Sequence, residues 1–438
     1  MPKKAKPDFV PEAEQPYKIP HNWRWARIGA VADLYTGNSI NEKVKKQKYE
    51  GNPEGYLYIA TKDIGFDSVI NYETNIRIPE RDSFKVAPAN TALLCVEGGS
   101  AGRKIGFVNQ AVCFVNKLCA FRTSTVHSKY VFYFLQTHCF ESQFLAKKHG
   151  LIGGVPIKAL STSIIPIAPL AEQQRIVDRI ESLFTKLDAA REKAREVVDG
   201  FELRKAAILY RAFTGKLTGI KSYATIPLSM IADEIRIGPF GSALHKDDYV
   251  SGKIPVINPK HIIDQNIVPD SKTSISEAKA RELSAYILKQ NDIILARRGT
   301  MGRSAPVTEK EDGWLCGTGS MIIRLKKGYD AVFYSQVLSS GTSVRYLEEN
   351  AVGSTMSNLN EKIIRDLPVP NFSAYEQEKI LAIISDLLNG EYQVMESAQQ
   401  VIDNIDAMKK AILGRAFRGE LGTNDLSEAG AEFAVTVR

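Results

Sequence analysis

Two long stretches of the chain carry apolar or small residues at alternating steps of four and three. The first stretch has them at Ile176, Ile180, Leu183, Leu187, Ala190, Ala194, Val197 and Phe201. The second has them at Ile384, Leu387, Val394, Ala398, Val401, Ile405, Met408 and Ile412. Only Glu391 interrupts the second pattern. A heptad pattern of this length predicts two helices that pack along a shared seam.

The two stretches are copies of each other at a fixed distance in the sequence. The segment Glu172–Ile176 recurs as Glu376–Ile380, and Lys205–Leu217 recurs as Lys409–Leu421, each 204 residues later. No residue is gained or lost between the two matches. Each copy is therefore predicted to be one continuous helix of about 40 residues, roughly 60 Å long. We expect the two helices to pack antiparallel as an intramolecular coiled coil.

The expected ends of these helices carry residues that start and stop helices. Ser373 followed by Glu376 is a capping-box pattern, in which side chains satisfy the first free amide groups. Gly215 and Gly419 lie where a left-handed residue ends a helix, each a few residues after an arginine whose charge suits the carbonyl end. These signals support both helices.

The regions outside the helices mix short β-branched and aromatic runs with turn residues, which predicts an α+β fold. Val31-Ala32-Asp33 corresponds to Ile231-Ala232-Asp233, and Ile59–Lys62 corresponds to Ile257–Lys260. The chain is therefore predicted to be a tandem repeat of a globular domain and a long helix. The predicted parts are a disordered tail at 1–19, globular domains at 20–168 and 222–370, helical regions at 169–221 and 371–424, and a second tail at 425–438.

The composition favours a polyanionic partner in a reducing compartment. The net charge is +7 and the sequence pI is near 8.9. The five cysteines include no Cys-x-x-Cys pair and the six histidines show no metal-ligand spacing, so no metal site is predicted. The chain has no apolar run of about 18 residues, and its Lys- and Pro-rich start is not a signal peptide. A cytoplasmic location is expected.

Two glycine-rich basic loops are the candidate ligand-binding segments. Each follows a predicted strand of its globular domain, the first as Glu97–Lys104 and the second as Arg297–Arg303. Glycine lets the backbone approach phosphates closely, and arginine is the commonest bidentate reader of guanine. The alternative is a tight turn whose charges are solvated. The candidate DNA-binding residues are Arg103, Lys104, Arg297, Arg298 and Arg303, together with Lys43, Lys46, Lys62, Lys246 and Lys260.

The order of these parts resembles the specificity subunit of type I restriction-modification systems. The resemblance covers about 19–422 and depends on Pro-Leu-Ala-Glu-Gln at 169–173, on Arg-Ala-Phe-Thr-Gly-Lys-Leu at 211–217, and on the duplicated domains. It implies that each globular domain is a target-recognition domain for one half of a bipartite, asymmetric double-stranded DNA site. The helices would hold the domains apart as a ruler. The second copy departs from the pattern at 371–375, where Pro-Leu is more usual, so the start of that helix stays open.

The resemblance also implies partners and a non-catalytic role. Two modification subunits, which bind S-adenosylmethionine and methylate adenine, are expected to dock on the helices. Restriction subunits, which use ATP and Mg²⁺, are expected to join them. This chain would itself hold no cofactor, and no membrane partner is expected. The residues assigned to helical spacing and docking are Glu172, Gln173, Ile176, Ile180, Leu183, Leu187, Phe213, Glu376, Gln377, Ile384, Leu387, Ile405, Ile412 and Phe417.

Three other interpretations compete with this one. Asp270, Glu277 and Lys279 imitate a Mg²⁺-dependent nuclease, in which two carboxylates hold the metal beside a lysine. The same stretch also fits a plain helix from Ser276 to Leu288, capped by Ser276. Asn258-Pro259-Lys260 imitates an adenine methyltransferase loop, but the second proline and the aromatic residue are missing, and no Gly-x-Gly cofactor loop occurs. The third interpretation is a coiled-coil scaffold without DNA specificity.

Overall fold

A computed structural model describes residues 10–148, 153–219, 223–240, 243–351 and 358–428. These residues form two compact units. Unit 1 contains the residues up to 193 together with those from 400 onward, and unit 2 contains residues 194–399. Each unit therefore combines a globular region with the start of one helical copy and the end of the other. Residues 1–9 and 429–438 of the predicted tails lie outside the described part of the chain.

The helices range from single turns to one of 43 residues. In the described ranges, no helix is long and apolar enough to span a membrane. A π-helical turn, Lys45–Tyr49, continues the second helix. The α-helices are α1 (Ile28–Val31), α2 (Glu42–Val44), α3 (Ser128–Phe134), α4 (His138–Ala146), α5 (Ile157–Ser161), α6 (Leu170–Asp199), α7 (Phe201–Phe213), α8 (Glu277–Glu282), α9 (Ala331–Leu338), α10 (Gly341–Asn350), α11 (Glu361–Arg365) and α12 (Ala374–Ala416).

Unit 1 contains two four-stranded sheets and one two-stranded sheet. Their strand orders are β2-β9-β6-β7, β4-β3-β8-β5 and β1-β10, and only the β3·β8 pair is parallel among these described strands. The strands are β1 (Arg24–Arg27), β2 (Ala32–Thr36), β3 (Tyr56–Ile59), β4 (Arg77–Ile78), β5 (Val86–Ala87), β6 (Thr91–Cys95), β7 (Ile105–Val108), β8 (Val112–Phe114), β9 (Leu118–Thr123) and β10 (Ile164–Ile167).

Unit 2 repeats this plan and adds a short hairpin. Its strand orders are β12-β21-β18-β19, β13-β17-β14-β20, β11-β22 and β15-β16, again with one parallel pair, β14·β20, in the part that is described. The strands are β11 (Ala224–Pro227), β12 (Ala232–Ile237), β13 (Tyr249–Val250), β14 (Ile254–Ile257), β15 (Ile262–Ile263), β16 (Asn266–Ile267), β17 (Ser274–Ile275), β18 (Asp292–Ala296), β19 (Ser304–Pro306), β20 (Leu315–Cys316), β21 (Ser320–Leu325) and β22 (Pro368–Asn371). The α+β fold and its duplication are confirmed.

Alternation along the central strand of each unit separates two apolar cores. In unit 1, Leu94 of β6 packs toward the helices and Leu93 packs toward the second sheet. In unit 2, Ile293 and Ile294 of β18 divide in the same way. Successive side chains of a strand point to opposite faces, so a fully apolar strand is buried on both sides. Each unit is therefore a sandwich of sheet, sheet and helices.

Within each unit the two helical copies pair in antiparallel fashion. In unit 1, Asp188 accepts a bond from Lys409 (2.6 Å), and Arg191 pairs with Asp406. The partner number falls by three as the residue number rises by three, which defines antiparallel packing. In unit 2, the ring of Phe201 lies 4.8 Å from that of Tyr392, and Arg204 pairs with Glu391, so the partner number again falls as the residue number rises. The predicted antiparallel pairing is confirmed inside both units.

The prediction of one continuous rod is wrong for the first helical copy. α6 ends at Asp199 and α7 begins at Phe201, with Gly200 between them at φ −77° and ψ −6°. Arg204 replaces a lost helical bond by donating from Nη2 to the Val197 carbonyl (2.9 Å), and its Nε donates to Glu391 (2.6 Å). Gly200 weakens the helix because glycine has a low helix propensity. The ion pair between Arg204 and Glu391 explains why a polar residue interrupts the predicted seam at Glu391. The second copy, α12, is continuous.

The predicted seam of the second helix is only partly buried. Ile384, Ala398 and Ile405 are buried. Four other residues of the predicted seam are exposed by 40–53%: Leu387, Val394, Val401 and Met408. Antiparallel pairing of two helices covers only part of the apolar stripe, so these four side chains remain on the surface. Their predicted place in the seam is wrong.

The expected helix ends are confirmed, whereas the predicted disorder of the whole N-terminal tail is not. Ser373 and Glu376 exchange backbone and side-chain bonds, and α12 starts at Ala374. Gly215 and Gly419 have φ values of +70° and +77°. Within 10–19, Val10 is buried and the Tyr17 ring lies 5.0 Å from that of Trp25. These apolar side chains hold this part of the tail on unit 1.

Candidate nucleic-acid interface

The first basic loop follows β6 and has a fixed backbone. Gly102 has φ +78°, and a Cβ there would meet the Phe144 ring at 2.6 Å, so a side chain is excluded on two counts. Arg103 is exposed and its Nη2 donates to the Gly99 carbonyl (2.5 Å). Lys104 Nζ donates to the Thr61 carbonyl (3.1 Å). The loop is thereby tied to the 3₁₀ turn at Thr61–Asp63.

That 3₁₀ turn leads into a tight turn, residues 64–70, which we call tip 1. A bridge joins Ile64 and Ile70, and the Gly65 amide donates to the Val69 carbonyl (2.8 Å). Phe66 lies at the end of tip 1 with 64% of its surface exposed. The cationic groups of Arg103 and Lys104 lie 5.4 and 5.1 Å from the centre of its ring. Tip 1 and the basic loop therefore form one surface.

The second basic loop has the same connection in unit 2. Arg303 Nη1 donates to the Pro259 carbonyl (3.2 Å), in the 3₁₀ turn Pro259–His261, and its Nη2 donates to Thr300 (3.1 Å). Arg298 is exposed and donates to the Asn358 side chain (3.3 Å). Burial lowers the pKa of Arg297, and neighbouring Arg298 lowers it further. Of the three arginines, Arg298 is exposed, whereas Arg297 and Arg303 are half-buried.

The 3₁₀ turn of unit 2 also leads into an apolar tip. The β15–β16 hairpin, with Val268, forms tip 2. Ile263 and Val268 are exposed by 49% and 50%. Sequence reasoning missed Phe66 and Ile263. The available signal was a large apolar residue directly before a polar pair, Asp67-Ser68 or Asp264-Gln265.

The remaining candidate lysines fall into two groups. Lys62 and Lys260 are exposed on the 3₁₀ turns that contact the basic loops, and Lys260 pairs with Asp270 (3.1 Å). Lys43, Lys46 and Lys246 are exposed on other short helical segments. The structure thus joins the first pair to the basic loops, and DNA contact by each of these residues stays a prediction.

Two of the three nuclease-like residues, Asp270 and Lys279, are engaged with other partners. Lys279 lies 3.5 Å from Asp248 and 3.2 Å from Glu282. Backbone bonding from Lys272, then the Lys260 side chain, holds the pKa of Asp270 below its usual value. Across the described ranges, no cluster of three or more His, Cys, Asp or Glu could hold a metal ion.

The helix expected from Ser276 is present but short. The Ser276 hydroxyl accepts a bond from the Lys279 amide (3.2 Å), which confirms the cap. α8 ends at Glu282, and a 3₁₀ turn, Ser284–Tyr286, follows before Leu288. The expected extent to Leu288 is therefore wrong. The burial of Leu283 and Leu288 in the apolar interior of unit 2 bends the chain away from the helix axis.

Most of the predicted docking residues are inside their units. Glu172 accepts bonds from Trp23 Nε1 and Asn424 Nδ2, both 2.8 Å, and its burial raises its pKa. The buried residues of this set pack inside their units, which suits the spacing part of the assignment, and docking by them stays a prediction. They are Glu172, Gln173, Ile176, Ile180, Phe213, Gln377, Ile384, Ile405 and Phe417. Leu183, Leu187, Glu376 and Ile412 are half-buried, and Leu387 is exposed.

Comparison with known proteins identifies the family of the chain. The family described as "Type I restriction modification DNA specificity domain" matches residues 20–198 and 239–404. The specificity subunit of the type I restriction enzyme EcoBI from Escherichia coli is 22% identical over 436 residues, with 91% of this chain and 86% of that protein covered.

Solved structures agree with this fold. The HsdS subunit from Thermoanaerobacter tengcongensis superimposes with a TM-score of 0.64 at 18% identity, covering 93% of this chain and all of that one. A chain from a structure concerned with complex assembly and conformational transition of the type I R-M system gives 0.62 at 18% identity, with 93% and 100% covered. The family match spans most of the sequence in two copies, as the two units do. The chain belongs to the family of type I restriction-modification DNA specificity domains.

Proposed function

We propose that this chain is the sequence-specificity subunit of a type I restriction-modification complex and that each unit reads one half of a bipartite, asymmetric duplex site. One observation carries the proposal. In both units a basic side chain that follows the glycine loop, Lys104 or Arg303, donates to the carbonyl of a 3₁₀ turn, at Thr61 or Pro259. The same surface is thus built twice from different side chains, as two readers of different half-sites require.

The basic groups divide into two expected roles. Arg298 and Arg303 have planar guanidinium groups that can meet a guanine edge in bidentate fashion. Lys62 and Lys104 carry point charges suited to phosphates, which position the protein without reading sequence. The net charge of +7 favours the same polyanionic partner.

Binding by the assembled complex tests this proposal. Sequencing the methylome of cells with and without this chain identifies the target. Fluorescence anisotropy then compares target and scrambled duplexes, with the modification subunits present. Arg303→Ala is expected to weaken target binding by about 1–3 kcal/mol and to relax one base position. Arg365→Ala, which removes an exposed arginine paired with Glu361, is the matched control. Equal affinity of the wild-type complex for both duplexes would instead support a scaffold without specificity.

Docking of modification subunits is assigned to exposed apolar side chains of the helices. Val401 and Met408 in unit 1 are exposed by 44% and 48%, and Leu203 in unit 2 by 77%. Val401 and Met408 lie seven residues apart on one face of α12, and neighbouring exposed apolar side chains mark protein contact surfaces. Val401→Asp with Met408→Asp is expected to abolish co-purification of the modification subunit, whereas Lys410→Ala should not. Unchanged co-purification by a folded double variant would reject this surface.

The chemistry is assigned to the partners, with S-adenosylmethionine, ATP and Mg²⁺ bound there. The isolated chain with Mg²⁺ and duplex DNA is expected to leave the DNA intact. Cleavage that is lost in Glu277→Ala would establish the nuclease alternative. A subunit that reads chromosomal and incoming DNA is expected to act in the cytoplasm.

A further inference from the structure

The exposed ring at tip 1 is held in place by the surrounding backbone. The Gly65–Val69 bond closes the turn, and Asp67 Oδ1 accepts from the Val69 amide at 3.1 Å. Ser68, with φ +66°, completes the reversal and contacts Gln136 (3.4 Å). Phe66 is therefore presented by a closed turn rather than by an extended loop.

The cations beside the ring are also held in place. Arg103 is bonded to the Gly99 carbonyl and Lys104 to the Thr61 carbonyl, and both charges lie within 5.5 Å of the Phe66 ring centre. Phe66 remains 64% exposed although two cations lie beside its ring. A large apolar area is therefore accessible next to concentrated positive charge. An occupant that fits this surface has apolar faces between closely spaced negative charges. Nucleic-acid bases between their phosphates have that chemistry.

Tip 2 repeats the placement with a different side chain. It follows the 3₁₀ turn that accepts the Arg303 bond, and it exposes Ile263 and Val268. In both units, an exposed apolar residue thus follows the 3₁₀ turn that the basic loop contacts. The exposed side chain is aromatic in unit 1 and aliphatic in unit 2.

We propose that Phe66 makes a direct apolar contact with one base of the half-site read by unit 1, while Arg103 and Lys104 contact the flanking phosphates. Ile263 has the corresponding role in unit 2. This inference rests on the proposed function and adds an apolar component to the readout. Apolar side chains recognise the thymine methyl group or stack on a base, and neither contact releases counterions.

The test uses the full chain assembled with its modification subunits and measures affinity against salt concentration. Phe66→Ala is expected to weaken binding to the target by about 10- to 100-fold and to leave binding to scrambled DNA and the salt slope unchanged. Arg103→Ala is expected to reduce the salt slope by about 1. Leu426→Ala, which removes an apolar side chain of similar exposure (61%) in unit 1, is the control and should change nothing.

A scan of single base-pair changes locates the contact. One position of the half-site read by unit 1 should lose its effect in Phe66→Ala, and one position of the other half-site should do so in Ile263→Ala. Replacing thymine by uracil at that position distinguishes a methyl contact from stacking. If the wild-type complex discriminates between sequences and Phe66→Ala binds with the same affinity and preferences, the inference is overturned. If the wild-type complex does not discriminate, the proposed function itself fails.

Discussion

The strand that runs through the middle of each unit begins with different side chains. In unit 2, β18 begins with Asp292, 1% exposed, whose carboxylate accepts bonds from Arg324 at 2.9 and 2.8 Å. In unit 1, β6 begins with Thr91, and Arg122, which corresponds to Arg324, is exposed. The backbone register is the same, but at these corresponding positions the charge pair is present in unit 2 and absent from unit 1. The shared framework therefore does not depend on this pair.

The start of the long helix also differs between the units, but here the buried charged residue is in unit 1. Glu172 of unit 1 is fully buried and bonded to Trp23 and Asn424. Glu376, at the same position of the second copy, is half-buried and caps the helix through Ser373. Burial raises the pKa of Glu172, whereas bonds from the Ser373 amide and hydroxyl lower that of Glu376. One repeated residue thus has two physical roles.

The largest expected effect concerns the phenylalanine that ends each helical copy. Phe417 packs on Tyr130 and Phe134 in unit 1, at 4.8 and 5.2 Å between ring centres, and Phe213 packs on Phe333 in unit 2. Phe417→Ala is expected to destabilise unit 1 by about 3–5 kcal/mol because it opens a cavity. Hydrogen exchange resolved by peptide should show faster exchange in unit 1 alone, and Phe213→Ala should do the same in unit 2. Equal changes in both units after either substitution would show that the units unfold together.

The charge pair of unit 2 provides the next comparison. Asp292→Ala removes one of the two carboxylates that Arg324 contacts, leaving Glu234 at 2.6 Å, and is expected to cost about 1.5–3 kcal/mol, the usual contribution of hydrogen bonds to a charged group. Thr91→Ala at the corresponding position breaks no ion pair and should cost about 1 kcal/mol, the central value for point substitutions. Denaturant titration followed by hydrogen exchange in each unit measures both values. Similar costs would mean that the pair adds nothing particular to unit 2.

The repeated glutamates should respond to acid in opposite directions. The folded pKa of Glu172 lies above its unfolded value, so unit 1 gains stability as pH falls through that raised pKa toward about 4.5. Glu376 has a lowered folded pKa, so its contribution is present above about 4.5 and is lost as pH falls through the folded value. Local exchange measured between pH 7 and 3 should show both trends. Glu172→Ala and Ser373→Ala should each remove one of them, the latter at a cost of about 1 kcal/mol.

The smallest effect is expected at the helix break. Gly200 has a right-handed conformation, so alanine fits its backbone and gains up to about 1 kcal/mol of helix propensity. The added Cβ would meet Arg204 Nη1 at 2.6 Å, so the bond to the Val197 carbonyl must shift. We expect a net change below about 1 kcal/mol and slower exchange at 197–204. A large loss of stability would show that Arg204 cannot move.

Several features followed from the sequence because they depend on neighbouring residues. The heptads, the Ser373 cap and the glycine stops involve residues a few positions apart, and they predicted the helical stretches and their ends correctly. The same local signals placed Leu387 and Val394 in a seam, although burial of these residues depends on what packs against each face. The break at Gly200 was also missed, since Arg204 stabilises it through a partner 187 residues away.

The internal duplication, the α+β class and the helix ends were thus determined by the sequence alone. Tertiary structure decided that Glu172 is buried and that the cations of Arg103 and Lys104 lie beside the Phe66 ring. It also decided that each unit contains the start of one helical copy and the end of the other. The contacts of Glu172 with Trp23 and Asn424 join residues 149 and 252 positions apart. No periodic pattern records such contacts, because periodicity reports which face of an element is apolar and not which distant segment covers that face.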